Sequence, residues 1–259
     1  MNVQLAQQIR EAYTSGQCPP IRDRMATRSV AEAYAIQQIN TEHWLSQGRR
    51  LIGRKIGLTS RAVQKQLGVD QPDYGMLFAD CCYASGAEID YQQLLQPRAE
   101  GEIALVLERD LLHEKHTVQD IVSATAYALP AIEIVDSRIR DWNIHIYDSI
   151  ADNASSGLVA LGTQPVALHQ LDLELCGMVL ERAGQAVATG AGIACLGNPL
   201  NAALWLADKL VELGQPLRAG DLLLTGALGP MVNIRPGDAL RARFRGLGSV
   251  DIHFTPSTN

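Results

Sequence analysis

Apolar positions in the first fifty residues recur at the spacing of an amphipathic helix. Residues 3–13 show this spacing, and a longer stretch with the same period runs from Ser29 to Gly48. Ser29 and Glu32 form the S-x-x-E pattern of a capping box at the start of the longer stretch, and Gly48 is suited to end it. The N-terminal part of the chain is therefore predicted to be helical.

From Leu51 onward the pattern changes to short apolar runs separated by Gly, Pro and Asp. Such runs predict strands, and here they are RLIGRKIGLT, GMLFAD, EIALVLERDL, ALPAIEIVDS, GLVALG and LCGMVLERAGQAVATGAG. Polar and apolar residues alternate from Ala239 to Phe244 and from Val250 to Phe254. This alternation predicts antiparallel sheet near the C-terminus.

One further helix is marked in the second half of the chain. Asn198 is a suitable N-cap, Pro199 fits the first turn, and Gly214 can end the helix. Its predicted apolar face consists of Leu200, Ala203, Leu204, Ala207 and Leu210. This helix interrupts a region that is otherwise predicted to be mostly strand.

Strands outnumber helices after residue 50 and do not alternate regularly with them, which argues against a Rossmann fold or a TIM barrel. The predicted fold class is α+β. The chain shows no internal repeat and no Pro/Ser linker. We therefore expect one domain over residues 1–259, with a helical N-terminal part (1–50) and a β-rich core (51–259).

Composition and motif content exclude several classes of protein. The net charge is −6, and no stripe of Lys and Arg is present that would bind nucleic acid or an anionic membrane surface. Five scattered cysteines do not form a disulfide framework, so a reducing cytoplasm is expected. We identify no signal peptide and no apolar run long enough to cross a bilayer, so the protein is expected to be soluble. The histidine spacing and the lack of nucleophile-elbow and Walker motifs disfavour zinc hydrolysis and nucleotide binding.

Three glutamates stand in strand-like settings. Glu100 and Glu102 are two residues apart at the head of an apolar run, so in a strand they point to the same face. Glu133 lies inside another apolar run, between Ile132 and Ile134. Two ionised carboxylates about 5 Å apart at an effective dielectric of about 20 repel by roughly 3 kcal/mol. A shared buried site would need protons or a hard divalent cation.

Spacing alone leaves an alternative open. An E-x-E pattern at the head of a strand is common on a solvated sheet face, and no pattern places Glu133 beside Glu100 and Glu102. Glu133 is the stronger anomaly, because a charged side chain in so apolar a setting needs a partner or a function.

Two other segments carry candidate site residues. In GRKIGLTS, Lys55 has few polar neighbours in the sequence, so it could be desolvated and suited to proton transfer or anion binding. An ordinary lysine that extends to solvent from a strand edge is the alternative. QPDYG contains Asp73 in a predicted turn. The polar stretch DSRIRDWNIHIYDSIADNASSG follows Glu133 and is predicted to be an irregular binding loop, with a solvated surface connection as the alternative.

Seven segments together resemble a known family. They are GRKIGLTS, QLGVDQPDYGMLFAD, QPRAEGEIALVLERDL, LPAIEIVDSRIRDW, ADNASSG, LGNPLNAALWLA and LTGALGPM. In this order they resemble the 2-keto-4-pentenoate hydratase family of the fumarylacetoacetate hydrolase superfamily, and the resemblance runs over nearly the whole chain. It implies a mixed β-roll core of the fumarylacetoacetate hydrolase type with peripheral helices.

The resemblance also implies a set of metal ligands and catalytic residues. A divalent Mg²⁺ or Mn²⁺ would be held by Glu100, Glu102 and Glu133. Lys55 would pair with the anionic substrate or shuttle a proton, and Asp73 would be the general acid or base. The ion would stabilise negative charge at the 2-oxygen of the bound substrate.

Further residues are predicted to contact the substrate. Ser155 of NASSG would hydrogen-bond the substrate or position water, and it is preferred to its neighbour because relatives often have cysteine in place of Ser156. The predicted substrate-binding residues are Ser156, Arg138 in the polar stretch, and Leu58 beside Lys55. Which of the two serines makes the contact is left open.

The implied reaction is addition of water to a 2-hydroxy-2,4-dienoate in the meta-cleavage degradation of aromatic compounds. The segment LTGALGPM resembles the hydratases more than 4-oxalocrotonate decarboxylase, the sibling enzyme, which is the first alternative. Hydrolysis of a carbon–carbon bond ranks third, because the surroundings of His43 and Glu42 do not resemble a His–Glu base motif. An alternative of another class is a catalytically silent scaffold that binds a partner enzyme of the pathway. Such a scaffold would have no physical reason to keep these acids together.

The implied partners are small molecules and copies of the same chain. The resemblance implies a homo-oligomer, a pentamer or a decamer, that could associate with a decarboxylase or an aldolase of the same pathway. The side chain of the dienoate and the choice between Mg²⁺ and Mn²⁺ are left open by the sequence.

Overall fold

A computed structural model describes residues 1–67 and 69–256. The described residues form six α-helices, and the first two lie in the N-terminal part as predicted. The helices are α1 (Asn2–Ser15), α2 (Val30–Ser46), α3 (Arg61–Leu67), α4 (Val118–Ala124), α5 (Ile146–Ala151) and α6 (Pro199–Glu212). None of them is long and apolar enough to cross a membrane.

The start of α2 forms only half of the predicted capping box. The side chain of Ser29 accepts a hydrogen bond from the backbone N–H of Glu32. The carboxylate of Glu32 instead accepts from the backbone N–H groups of Ala26 and Thr27, 2.9 and 2.6 Å away. Glu32 therefore fixes the turn that precedes the helix.

Thirteen strands are present in the described chain, and the predicted apolar runs all contain one. They are β1 (Leu51–Gly57), β2 (Asp73–Phe78), β3 (Cys82–Ala84), β4 (Ala87–Ile89), β5 (Arg98–Leu107), β6 (Thr125–Val135), β7 (Ser156–Leu161), β8 (Gly177–Arg182), β9 (Gln185–Ala191), β10 (Leu222–Ala227), β11 (Val232–Asn233), β12 (Ala239–Phe244) and β13 (Gly248–Phe254).

These strands form two mixed sheets. The larger has the order β2-β1-β10-β5-β6-β7-β3, with β11 paired to β5, and the smaller has the order β4-β13-β12-β8-β9. The pairs β1–β10, β3–β7 and β4–β13 are parallel, and the other pairs are antiparallel. The predicted α+β class with a mixed sheet core is confirmed.

The larger sheet is apolar on both faces. Strands β12 and β13 of the smaller sheet pack against β6, and Gly101 of β5 faces Met178 of β8. The opposite face holds a smaller apolar cluster that includes Ala104 and Ala131. Because strand side chains alternate, Glu100 and Glu102 share the face of Ala104, and Glu133 shares that of Ala131.

Helix α6 begins and ends as predicted, and its predicted apolar face packs against the core. Asn198 caps it by accepting from the N–H of Leu200, 3.0 Å away. The buried residues of the helix are Pro199, Ala202, Ala203, Leu206, Ala207 and Leu210. Leu200 and Leu204, predicted for this face, are only partly buried. Both still pack against the hydrophobic core, so the predicted apolar face is confirmed, and it extends further to Ala202 and Leu206.

Candidate functional site

The register of two neighbouring strands brings the three glutamates together. Glu100 of β5 lies directly opposite Glu133 of β6, and Glu102 follows on the same face opposite Ala131. One carboxylate oxygen from each glutamate lies within 4.8 Å of the other two. An all-oxygen cluster of this kind suits a hard divalent cation.

The cluster leaves several buried oxygens without a hydrogen bond. Glu102 and Glu133 are each 1% exposed, and Oε2 of Glu102 accepts from the N–H of Gly226, 2.8 Å away. Within the described chain, Oε1 of Glu102 and both carboxylate oxygens of Glu133 accept no hydrogen bond. Buried carboxylate oxygens are costly unless a charge compensates them. The donor set therefore fits a cation.

Burial raises the pKa of all three carboxyl groups, and repulsion between glutamates adds to the rise at Glu100 and Glu102. Desolvation, followed by repulsion from Glu133, raises the pKa of Glu100 to about 7. The pKa of Glu102 lies well above its ordinary value for the same two reasons. Burial also raises the pKa of Glu133, and the ammonium of Lys55 opposes that shift. Without a cation, protons would have to neutralise part of the cluster.

Lys55 is a buried cation beside the glutamates. It lies on β1, is 3% exposed, and its Nζ is 3.2 Å from Oε1 of Glu133. The same Nζ donates to the carbonyl oxygen of Ala154 at 3.0 Å. These contacts hold the ammonium against the cluster, and the nearby carboxylates raise the pKa of Lys55 in spite of its burial.

Asp73 lies at the start of β2, opposite Gly57 of β1. It is 1% exposed, and its Oδ2 accepts from Oγ of Ser149 on α5 at 2.7 Å. Burial raises the pKa of Asp73, and Lys55 opposes the rise. A Cβ at Gly57 would overlap Oδ1 of Asp73 and lie 3.5 Å from Nζ of Lys55, so only glycine leaves this space open.

The residues Asn153, Ala154 and Ser155 form a strained turn at the site. All three have positive φ angles, of 55°, 50° and 53°. The side chain of Asn153 clamps the turn to β2, since it accepts from the N–H of Met76 at 2.7 Å and donates to the carbonyl of Met76 at 3.0 Å. Oγ of Ser155 is buried without a hydrogen bond in the described chain. Such strain is characteristic of functional sites.

A cavity of about 480 Å³ opens beside Glu100. Leu58, which has a φ of 57°, is one of its lining residues. The side chains on its wall are largely apolar, and they include Ile56, Val63, Ala227, Pro230 and Met231. A small acid with an uncharged tail could occupy a cavity of this size and character.

Arg138 and Ser156 are the two remaining residues that were predicted to bind the substrate. The guanidinium of Arg138 donates from Nε to Oδ1 of Asp152 at 2.5 Å, from Nη1 to the carbonyl of Ser156 at 2.9 Å, and from Nη2 to the carbonyl of Asp152 at 2.7 Å. Because each of these nitrogens already has an acceptor, this geometry does not favour the predicted contact between Arg138 and substrate. Ser156 is buried at the first position of β7.

The polar stretch after Glu133 was predicted to be an irregular binding loop, and part of it is instead regular and buried. It contains the helix α5, and its polar residues Asp136, Ser137, Arg138, Asp148, Asp152, Asn153 and Ser155 are buried. The expected irregularity was wrong at α5, and the alternative of a solvated surface connection does not fit these buried residues; the binding role stays a prediction. Most of these polar side chains are hydrogen-bonded inside the molecule, and Oγ of Ser155 is an exception.

Sequence reasoning missed several groups that contact the site. They are the hydroxyl of Ser149 on Asp73, the carbonyl of Ala154 on Lys55, and the N–H of Gly226 on Glu102. Gly226 lies within the quoted segment LTGALGPM, but a backbone N–H carries no residue-type signal. Only the folded structure could reveal it.

Comparisons with known proteins agree with this architecture. The family model "Fumarylacetoacetate (FAA) hydrolase C-terminal" matches residues 45–255. The chain therefore belongs to the fumarylacetoacetate hydrolase family. Within that family it is 57% identical over 252 residues to a 2-keto-4-pentenoate hydratase of Burkholderia vietnamiensis, covering 97% of this chain and 96% of the relative.

Solved structures place the same fold in a sibling enzyme. The 4-oxalocrotonate decarboxylase from Pseudomonas putida G7, complexed with magnesium and adipate, superposes with a TM-score of 0.93 at 32% identity. The superposition covers 98% of this chain and 97% of the decarboxylase. A second structure of that decarboxylase, with calcium and acetate, gives a TM-score of 0.91 at 32% identity and covers 98% of this chain and 96% of the other.

Proposed function

We propose that the protein is a hydro-lyase that adds water to 2-hydroxypenta-2,4-dienoate and forms 4-hydroxy-2-oxopentanoate. One observation carries this proposal: three carboxylates with unsatisfied buried oxygens meet a buried lysine at the edge of a largely apolar cavity. The similarity to proteins named 2-keto-4-pentenoate hydratase, which extends over nearly the full length of both chains, supports the same reaction.

Glu100, Glu102 and Glu133 are the proposed ligands of a divalent cation, Mg²⁺ or Mn²⁺. The unsatisfied oxygens and the raised pKa values of these glutamates fit a cation. The related decarboxylase has been solved with magnesium and with calcium. When bound, such an ion supplies a Lewis acid that withdraws electrons from the 2-oxo acid group of the substrate.

The reaction requires two proton movements before and during the addition of water. The enol proton leaves the 2-hydroxyl group and a proton is added to the terminal carbon, which gives a 2-oxo-3-enoate. Water then adds its hydroxyl to the carbon two positions beyond the oxo carbon, and its proton goes to the carbon between them. The site must therefore contain groups that hold and release protons.

The protein offers two such groups, Asp73 and Lys55, and a hydroxyl that can orient water. Asp73, oriented by Ser149, is the proposed general acid or base. Lys55 is held at a fixed place by Glu133 and by the carbonyl of Ala154, so its Nζ can hold the substrate anion or return a proton. The free hydroxyl of Ser155 is suited to orient the water. Leu58 and Ser156 are proposed substrate contacts.

A direct assay tests this function. The metal-free protein is mixed with 2-hydroxypenta-2,4-dienoate, and the ultraviolet absorbance of the diene is followed before and after addition of Mg²⁺ or Mn²⁺. We expect the absorbance to fall only with the ion and without release of CO₂. Retention of the absorbance with either ion would refute hydration and would favour the catalytically silent scaffold.

Decarboxylation is the second candidate, and the 0.93 TM-score with 4-oxalocrotonate decarboxylase favours it. The similarity to proteins named 2-keto-4-pentenoate hydratase over nearly the whole chain favours hydration, and the largely apolar wall of the cavity suits the uncharged tail of the dienoate. Supplying 4-oxalocrotonate separates the two reactions. Rapid CO₂ release from it, without hydration of the dienoate, would reverse the assignment.

We also propose a homo-oligomer, a pentamer or a decamer, that acts in the cytoplasm. The five cysteines are all free thiols, which supports a reducing compartment. Light scattering coupled to gel filtration would test the assembly. It should give five or ten times the chain mass of 28.1 kDa, and a monomer mass would exclude it.

A further inference from the structure

Arg98 is a cation near the site whose charge acts on Glu100 without a close ion pair among the described residues. It lies two residues before Glu100 on β5, and so its side chain leaves the strand on the face that carries the glutamates. In the described part of the chain, Arg98 forms no ion pair within 4.0 Å, and its Nε is buried without a hydrogen bond. An arginine in such a position usually has a carboxylate to bind.

An aromatic side chain fixes the position of this guanidinium. The guanidinium carbon of Arg98 lies 4.3 Å from the ring centroid of Trp142. The indole N–H of Trp142 donates to the carbonyl of Gln96 at 3.0 Å. Asp141 and Trp142 have positive φ angles of 57° and 54°, so the turn that presents the indole is strained. The guanidinium of Arg98 is therefore held in place by an indole ring that is itself fixed by a hydrogen bond.

The guanidinium lies at the rim of the cavity. Its Nη1 is 3.5 Å from Sδ of Met231, and both Met231 and Glu100 line the cavity. Arg98 is partly exposed, and Met231 is 43% exposed, so this side of the cavity faces solvent. A substrate that enters here would pass the guanidinium of Arg98.

The charges of the site explain why a rim cation would be useful. Glu100, Glu102, Glu133 and Asp73 carry four negative charges when ionised, whereas Lys55 and a divalent ion together carry three positive charges. The loaded site would then be negative overall and would repel an anionic substrate. The electrostatic potential at the entrance of a cleft affects how fast a charged ligand enters. A cation at the rim would therefore attract an anionic substrate.

We infer that Arg98 draws the anionic substrate into the cavity and contributes to binding its carboxylate, with Trp142 holding the guanidinium in place. This role rests on the proposed function, because it requires an anionic substrate. Arg98 is a binding and guiding residue, and it moves no proton. Its removal should affect KM and association far more than the chemical step.

The test compares Arg98→Gln, Arg98→Lys and the wild type at low and high ionic strength. We expect Arg98→Gln to lower kcat/KM about tenfold at low salt, with kcat nearly unchanged, because steering acts on entry. At about 0.5 M salt the loss should shrink to about twofold, since screening shortens the reach of the charge. Arg98→Lys should keep most of the wild-type value and its salt dependence. Arg245→Gln, which removes the same charge from an exposed position, is the matched control and should leave both unchanged.

A second measurement separates this inference from the hydratase proposal. The dissociation constant of 2-oxopentanoate, an unreactive 2-oxo acid, is measured with Mn²⁺ present and should rise in Arg98→Gln. If the wild type binds this acid but does not hydrate the dienoate, hydration fails while the role of Arg98 is still tested. Unchanged binding and kcat/KM in Arg98→Gln, or a loss that is equal at both salt concentrations and accompanied by a lower Tm, would overturn the inference.

Discussion

At the scale of single residues, Glu133 is the proposed metal ligand whose removal should be most informative. Its two buried oxygens have no hydrogen bond within the described chain, and its carboxylate lies between the other glutamates and Lys55. Glu133→Gln keeps the shape and removes the charge. We expect divalent ion affinity to fall and kcat to drop about 100-fold or more, because a charged ligand of the site is lost.

Titration with Mn²⁺ followed by steady-state kinetics would measure both effects. The matched control is Glu88→Gln, at an exposed position of β4, which should behave as the wild type. Circular dichroism would verify that both variants are folded. Full activity of Glu133→Gln in metal-free buffer would exclude the metal role.

Lys55 is expected to matter for both activity and stability. From the sequence it could have been a lysine at a strand edge, but it is buried and paired with Glu133. Lys55→Met should lower kcat/KM about 100-fold or more if Lys55 transfers protons as proposed. It should also cost about 3–5 kcal/mol in the metal-free protein, because breaking a buried pair leaves an uncompensated charge.

A divalent ion should restore much of that stability, because it would neutralise the carboxylate that Lys55 leaves behind. Thermal unfolding with EDTA and with excess Mg²⁺ would measure the difference. Lys115→Met is the control, since the side chain of Lys115 is 82% exposed and its ion pair contributes little. An equal loss of Tm with and without the ion would argue against electrostatic coupling of Lys55 to the cluster.

At the scale of elements, the strained turn at residues 153–155 joins the site to β2. The Asn153 side chain satisfies both backbone groups of Met76, and the next carbonyl, that of Ala154, holds Lys55. Asn153→Ala should destabilise the protein by about 2–3 kcal/mol, because it leaves buried backbone groups unsatisfied. It should also lower kcat, since Lys55 loses its fixed acceptor.

Chemical denaturation and kinetics on the same sample would test this coupling. Asn233→Ala, which truncates an exposed side chain on β11, is the matched control and should change neither quantity. If Asn153→Ala lost stability but kept its kcat, the turn would be structural and would not position Lys55.

At the scale of the whole molecule, the buried acids determine how stability depends on pH. In the metal-free protein the pKa of Glu100 is raised to about 7 and that of Asp152 to about 6. The folded chain therefore binds more protons than the unfolded chain between the ordinary carboxyl pKa and pH 7. Stability is fully present below that ordinary value and is lost as the pH rises through the folded pKa.

Thermal unfolding in EDTA should accordingly show a Tm that falls between about pH 5 and about pH 7. Excess Mg²⁺ should remove or reverse this slope, because the bound ion keeps the glutamates ionised in the folded state. Glu88→Gln should keep the wild-type slope in both conditions. A metal-free Tm that rises over this range would contradict the raised pKa values.

The sequence by itself determined the local features of this protein. Periodicity marked the N-terminal helices, the strands and the ends of α6, and alternation placed Glu100 and Glu102 on one face. Motifs identified the family, which the relatives confirm. These features depend on residues close together in the chain, or on whole segments whose order can be matched directly.

Only the tertiary structure decided which distant groups meet. The register of β5 against β6 set Glu100 opposite Glu133, and the pairing of β1 with β2 set Lys55 near Asp73. It also buried the polar stretch and occupied the guanidinium of Arg138. Register and burial follow from non-local packing, and a shift of one residue would have turned the acids to the other face.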